Sequence, residues 1–366
     1  MHTLDQLLNG FDPTAPLNQA WMPPSGWYTD PEILALECRS LFSDSWHLVG
    51  HIGQLAKPGD AIGGYLLHLP WLVTRAEDGT LRAFHNTCRH KGAVLLDGCS
   101  HGADVVCPFH GWRYALDGTL KRTPQIGAIR NFKREEMSLP KMGVAQWGPL
   151  ILVHPDPNAP PPATLHPKLD AALNQSGWDT LMHVRRLHSH IECNWKVFVD
   201  NYLDGGYHIE HMHPSLAAQI DMSSYRTTAG ARNVVQTTST AQVQDETLGY
   251  DLSDRMGDGA IYAWLYPNLM INRYGPGMDT HAVIPNGVDR CEVIFDFFFP
   301  PDTDPDFIAT SIEQSKLTQQ EDVDICRAVQ QGLQSMAYDR GRYSPRWEIG
   351  ELMFHRLLHE DLSAAR

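Results

Sequence analysis

No stretch of the 366-residue sequence approaches the roughly 18 consecutive apolar residues of a membrane-crossing helix, so no membrane-spanning segment is expected. Positive charge is scarce. Lys and Arg number 29 against 43 Asp and Glu, a formal net charge of −14. A chain of that sign repels phosphate backbones and anionic lipid, which excludes nucleic acid as a partner and favours cationic small molecules or a basic protein. Cysteine is sparse and odd in number: Cys38, Cys88, Cys99, Cys107, Cys193, Cys291 and Cys326. Scattered through a large chain, they argue against a disulfide framework and for reduced thiols in a cytosol. The opening Met1-His2-Thr3-Leu4-Asp5 has neither a basic n-region nor an apolar h-region, so no signal peptide is expected and the location reads as cytoplasmic. No internal repeat is visible.

What is present is ordinary globular composition, 42% hydrophobic and 20% charged, with length for two domains or three. Residues 1–28 look loop-rich. Asp30 as N-cap and Pro31 at the first helical position then predict a helix, with Ile33, Leu36, Leu41 and Phe42 near its period. From Trp46 to His154, short apolar runs alternate with turn signals. Glu77-Asp78-Gly79-Thr80 and Leu116-Asp117-Gly118-Thr119 are hairpin turns in prospect. The proline-rich stretch from Pro155 to Pro167 reads as a linker. Beyond it come a helical stretch at Asn194–His208, strands around Ala282–Ile284 and Glu292–Phe295, and a long helix from about Asp306 to Tyr338. Strands with segregated helices predict an α+β second domain.

Two constellations carry chemistry. The first is Cys88-Arg89-His90, then sixteen residues, then Cys107-Pro108-Phe109-His110. Thiolates suit iron–sulfur clusters and neutral imidazole is a borderline ligand. Two Cys on one iron and two His on the other make the Rieske arrangement. The competing reading is structural zinc, but zinc fingers usually pair like with like, whereas each half here offers one Cys and one His. The second constellation is Tyr207-His208-Ile209-Glu210-His211-Met212-His213-Pro214. Two His and one carboxylate, with open positions opposite, suit Fe(II) for oxygen activation. On an ideal helix His208 and His211 share a face. Pro214 and the pair Gly205-Gly206 say that the helix ends or distorts here, which leaves His208 with His213 open as well. A pure electron carrier competes with an oxygenase, but some 200 residues beyond the cluster motif exceed a carrier's need.

The first region resembles the Rieske domain family through Cys88-Arg89-His90-Lys91-Gly92 and Cys107-Pro108-Phe109-His110-Gly111-Trp112. Respiratory Rieske proteins carry an extra cysteine in each loop. Here those places hold Ala93 and Phe109, which points to the oxygenase branch. The stretch from Asn194 to Pro214 is similar to the catalytic motif of Rieske non-haem iron oxygenases. Trp27–Glu32, Tyr266–Pro276, Met278-Asp279-Thr280 and Gly341-Arg342-Tyr343 look most like the choline monooxygenase-like branch of the ring-hydroxylating oxygenases.

The resemblance implies an α+β chain: an N-terminal segment (1–44) packing on the catalytic domain, an all-β Rieske [2Fe-2S] domain (45–160), and a catalytic domain (161–366) with a helix-capped antiparallel sheet. It implies Cys88, His90, Cys107 and His110 as cluster ligands. It implies His208, His213 and Asp322 as ligands of a mononuclear Fe(II), with His211 beside them. Asp322 comes from Glu321-Asp322-Val323 followed by Gln331-Gly332-Leu333; Glu321 and Asp324 are the competing acids, expected to face solvent. The family's bridge between its two centres is an acid three residues before the first His. That position is Gly205 here, and Asp204 is the candidate for the role. Implied partners are O2, a small organic substrate, a flavin reductase drawing on NAD(P)H, a ferredoxin, and two further copies in a homotrimer. Hydroxylation or N-demethylation of a quaternary or tertiary amine such as choline or a betaine is the expected reaction. Tyr202, Tyr262, Trp264, Tyr266 and Tyr274 are candidates for a cation-holding cage. Dioxygenation or O-demethylation of an aromatic substrate is the alternative.

Overall fold

The computed structural model describes residues 3–241 and 255–366. They form two compact units: Asp44–Asp170, and Met1–Ser43 together with Ala171–Arg366. Among the described residues no helix is long and apolar enough to cross a membrane.

The first unit is β-structure. Strands β1 (His47–His51), β2 (Asp60–Leu66), β3 (Leu69–Arg75), β4 (Leu81–His85), β5 (Gly98–His101), β9 (Lys141–Trp147) and β10 (Leu150–His154) form an antiparallel sheet in the order β1-β10-β9-β4-β3-β2-β5. Strands β6 (Asp104–Val106), β7 (Arg113–Ala115) and β8 (Leu120–Arg122) make a second, three-stranded sheet. Both expected hairpins form, by one device. Asp78 Oδ1 accepts from the backbone N–H of Thr80 (3.0 Å), and Asp117 Oδ1 from that of Thr119 (2.9 Å). Gly79 (φ 79°) and Gly118 (φ 83°) take the left-handed position. The stretch from Pro155 to Pro167 is more than a linker. Pro162–Leu165 is a helical turn and Pro167–Gln175 a helix, and Trp147 Nε1 donates to Asp170 Oδ1 at 2.6 Å, which ties the stretch to the β unit.

The second unit is α+β. Strands β11 (Met182–Ile191), β12 (Arg226–Ala229), β13 (Asn233–Ser239), β14 (Gly259–Leu265), β15 (Leu269–Tyr274), β16 (Gly277–Pro285) and β17 (Cys291–Phe299) form an antiparallel sheet ordered β11-β17-β16-β15-β14-β13-β12. Helix Trp195–Leu203 packs on β16, and helices Pro305–Leu333 and Ile349–Ala364 pack on that helix. Asn194 starts it. Its side chain accepts from Lys196 N (3.1 Å), while its own N–H donates to Gln330 Oε1 (2.8 Å) on the long helix. That pairing sets the two helices in register.

The N-terminal segment belongs to this unit. It holds a short helix, Leu4–Asn9, closed by a Thr3/Gln6 capping box that the loop-rich reading missed. Helix Pro31–Arg39 starts as expected, with Asp30 accepting from Glu32 N at 2.8 Å; Leu41 and Phe42 lie beyond its end in a 3-10 turn. Glu37 pairs with Lys196 at 2.6 Å and accepts from Trp195 Nε1 at 2.7 Å, all of it buried.

Candidate metal centres

The two cysteine half-motifs fold alike. The Cys88 N–H donates to Ala93 O (2.8 Å) and the Gly92 N–H donates back to Cys88 O (3.0 Å). In the second loop Cys107 N–H donates to Trp112 O (2.7 Å) and Gly111 N–H to Cys107 O (3.1 Å). Gly92 (φ 75°) and Gly111 (φ 68°) take the conformation that closes each loop. The first loop follows β4 and the second joins β6 to β7. Both thiols are buried, and the His90 and His110 rings lie 4.6 Å apart. The His90 ring stacks on Trp112 (4.8 Å, 8°), and its Nδ1 is buried without a hydrogen-bond partner. An orphaned imidazole nitrogen beside two buried thiols fits a metal cluster: metal coordination would satisfy that nitrogen and stabilise the thiolates that burial opposes. Tyr114 OH sits 3.4 Å from Cys88 Sγ and accepts from Arg89 N (2.9 Å). A hydroxyl there can hydrogen-bond a ligating sulfur.

The second centre forms where a helix breaks. Helix Trp195–Leu203 ends at Asp204, and Gly205 (φ 73°) and Gly206 (φ 84°) reverse the chain. His208 precedes a single helical turn, Ile209–Met212, and His213 leaves helical geometry (φ −117°, ψ 67°) before Pro214 starts another. The ideal-helix geometry that favoured His211 therefore does not apply. His211 is exposed. His208 and His213 converge instead, with ring centroids 4.9 Å apart. Asp322 Oδ1 lies 3.1 Å from His213 Nε2 and 3.9 Å from His208 Nε2. One donor atom from each of the three residues lies within 4.8 Å of the others, the spread of a single ion's ligands. Two imidazoles and one carboxylate suit Fe(II).

Three neighbours hold this triad in place. Asp204 Oδ2 contacts His208 Nδ1 at 2.5 Å and also accepts the His208 N–H (3.1 Å). Its Oδ1 accepts from Gly206 N (2.9 Å) and Tyr207 N (3.2 Å). Asp204 was expected as a bridge to another subunit; within its own chain its carboxylate orients His208, which is one end of such a bridge. Glu321 was expected to face solvent, and it is exposed, yet it is not idle. It contacts His213 Nδ1 at 2.5 Å. Glu321 and Asp322, adjacent on the helix, thus take the two nitrogens of one ring. Burial disfavours charge on His213, but the carboxylates of Asp322 and Glu321 outweigh it and raise its pKa. Asn201, which the sequence reading passed over, donates to Asp322 Oδ1 at 2.8 Å. Asp324 is exposed and contacts Gln320 and Arg327.

Gly205 cannot be an acid here. A Cβ would sit 2.1 Å from Trp347 O. Gly205→Ala should destabilise the fold by at least about 1–2 kcal/mol from the left-handed backbone alone. Urea unfolding measures this, and a midpoint equal to that of the unchanged protein would sink the account.

A cavity of about 110 Å³ opens on the triad, with Tyr202, Tyr225 and Tyr262 in its wall. Of the five aromatics expected there, only Tyr202 and Tyr262 line it. Trp264 packs edge-on to Phe354 (5.3 Å), Tyr266 stacks under Arg232 (4.4 Å), and the Tyr274 hydroxyl donates to Asp279 Oδ2 (2.6 Å). Tyr225 was not expected; it comes from the segment between His213 and β12. Asp200, Glu351 and His355 also bring donor atoms close together. Both His355 nitrogens already meet tyrosine hydroxyls, Tyr28 at 2.8 Å and Tyr343 at 2.7 Å, so that trio reads as a hydrogen-bonded network.

A β unit with a two-Cys, two-His cradle and an α+β unit with a two-His, one-carboxylate centre are the two parts of an oxygenase that carries both a cluster and a separate iron site. Comparison with known proteins agrees. Residues 45–133 match the Rieske [2Fe-2S] domain, and residues 178–364 match the catalytic domain of the ring hydroxylating alpha subunit. The chain is 40% identical over 372 residues to the chloroplastic choline monooxygenase of Arabidopsis thaliana, covering 98% of this chain and 87% of that protein. It is 27% identical over 362 residues to the carnitine monooxygenase oxygenase subunit of Escherichia coli K12, covering 93% of each. A solved structure of a quaternary ammonium Rieske monooxygenase superposes over all of both chains, with TM-score 0.84 and 25% identity. The chain belongs to the Rieske non-haem iron oxygenases, as an alpha subunit of the choline monooxygenase-like branch. Its cofactors are a [2Fe-2S] cluster and a mononuclear iron, and NAD(P)H acting through a reductase is typical of the family.

Proposed function

We propose that this chain is the oxygenase component of a monooxygenase that hydroxylates or N-demethylates a small quaternary or tertiary amine of the choline or betaine class. The observation that carries this reading is the tyrosine wall of Tyr202, Tyr225 and Tyr262 around a cavity that opens on His208, His213 and Asp322. Aromatic faces attract a methylated ammonium by about 1–2 kcal/mol per well-placed ring. The 40% identity to a choline monooxygenase supports the same class.

In this reading Cys88, Cys107, His90 and His110 hold the cluster, and His208, His213 and Asp322 hold the mononuclear iron. The cluster supplies electrons singly and the mononuclear iron supplies oxygen activation. The protein's own residues do the rest. Asp204 and Glu321 fix the ring orientation of His208 and His213 through Nδ1, leaving each Nε2 toward Asp322. Asn201 holds the Asp322 carboxylate, and Phe198, Ile209 and Leu216 keep the cavity apolar. Electrons come from NAD(P)H through a flavin reductase, with a ferredoxin as a further carrier. The assembly is a homotrimer in which one copy's cluster serves a neighbour's iron. Seven cysteines, none of them in a disulfide, are in keeping with a cytoplasmic site.

Iron analysis and a coupled assay test the proposal. Purified protein should hold about three irons per chain, two in the cluster and one mononuclear. With a reductase, choline, betaines and other methylated amines should drive NAD(P)H and O2 consumption matched by product. Productive turnover of arenes, with amines giving only uncoupled oxygen consumption, would replace this reading with the aromatic one.

A further inference from the structure

A cavity that takes a permanent cation needs negative charge that the candidate iron site has not already claimed. Two carboxylates line this one, Asp204 and Asp322. Both are engaged: Asp204 by His208 and three backbone N–H groups, Asp322 by His213 and Asn201. A third lies just behind the wall. Asp279 is 4% exposed and sits on β16 directly opposite Asn272 on β15. Asn272 Nδ2 donates to Asp279 Oδ1 at 2.7 Å, Tyr274 OH donates to Asp279 Oδ2 at 2.6 Å, and His281 Nε2 lies 2.9 Å from Oδ1. The four residues alternate along two neighbouring strands, so they share one sheet face.

That face is turned to the cavity. Asn272 and His281 line it, and Tyr202 OH donates to Asn272 Oδ1 at 2.7 Å. Burial opposes charge on Asp279, yet His281, Tyr274 and Asn272 hold its carboxyl below the ordinary value. The nearby cation Arg255 lies over the Tyr274 ring (4.9 Å) and bonds Ser311, Ser315 and Gln219 rather than a carboxylate.

We propose that Asp279 is the specificity-determining anion of the cavity: from behind Asn272, His281 and Tyr202 it favours a methylated ammonium over an uncharged molecule of the same shape. This rests on the amine reading above and deepens it. Asp279 touches no substrate. It acts through the field it sets in a water-poor cavity, where charges are weakly screened.

The probes are choline and its uncharged carbon isostere, 3,3-dimethylbutan-1-ol. They are compared on the iron-loaded protein at pH 8, above the ordinary histidine pKa of about 6.5. The unchanged protein should prefer choline by about tenfold or more. In Asp279→Asn that preference should collapse toward unity, with the loss in KM for choline and little change for the isostere. The exchange Asn272→Asp with Asp279→Asn keeps one carboxylate and one amide across the strand pair, and should restore the preference. Iron content and the cluster spectrum report whether each variant is intact. Loaded Asp279→Asn with an undiminished preference would overturn the proposal, as would equal weakening of both probes. If Asp279→Asn does not fold, loss of preference in the exchanged pair would overturn it too. A wild-type protein that prefers neither probe would instead remove the amine reading.

Discussion

Asp322→Ala should lower coupled turnover by about a thousandfold or more, the loss of several kcal/mol of metal-ion stabilisation. Among the described residues, Asp322 is the one carboxylate whose oxygen approaches both His208 Nε2 and His213 Nε2. Without it two neutral imidazoles remain, and Asn201 Nδ2 loses its acceptor. Glu321 is no substitute, because it engages the opposite nitrogen of the His213 ring. Iron content should fall from about three per chain to about two, with the visible spectrum of the cluster unchanged. Asp324→Ala is the control. Its carboxylate lies on the solvent side of the same helix, contacting Gln320 and Arg327, and should leave iron and turnover intact. Full mononuclear iron and normal turnover in Asp322→Ala would remove it from the ligand set.

Asp204→Asn should cut product formation by about 10–100-fold, the range for partners that orient a metal-binding histidine. An amide oxygen can still accept the loop N–H groups, so the turn through Gly205 and Gly206 should persist and iron should stay bound. What changes is the charge against His208 Nδ1, 2.5 Å away. Because His208 is a proposed ligand of the mononuclear iron, electron arrival there should slow. Single-turnover oxidation of the reduced cluster, followed by stopped-flow, isolates that step. A rate equal to that of the unchanged protein would sink the role given to Asp204, whatever happened to overall activity.

The parts of this protein legible in its sequence are those built from local bonds. Each cysteine loop closes within five residues, and each Asp-Gly turn is fixed by the aspartate's own side chain. Asp30 and Pro31 start a helix for the same local reason. The second centre was harder. Spacing alone set His208 with His211 against His208 with His213, and the choice depends on how the chain bends after Gly206. Glu321 is the exposed acid it looked to be, but nothing local betrays its contact 108 residues away in the chain. The aromatic reading failed in three places out of five. Trp264 and Tyr274 are strand residues and Tyr266 lies in the turn between β14 and β15; their surroundings, Phe354, Arg232 and Asp279, come from other elements.

The cluster loops, the helix starts and the family-bearing motifs were therefore determined by the sequence itself, since their ligand types and closing hydrogen bonds lie within a few residues. Tertiary structure decided which histidine partners His208, that Asp204 and Glu321 orient the rings, and which tyrosines face the cavity. It also placed Asp279 behind the wall. Each of these depends on helices and strands meeting side by side, and the direction a side chain takes there is set by packing between elements, which no local pattern encodes.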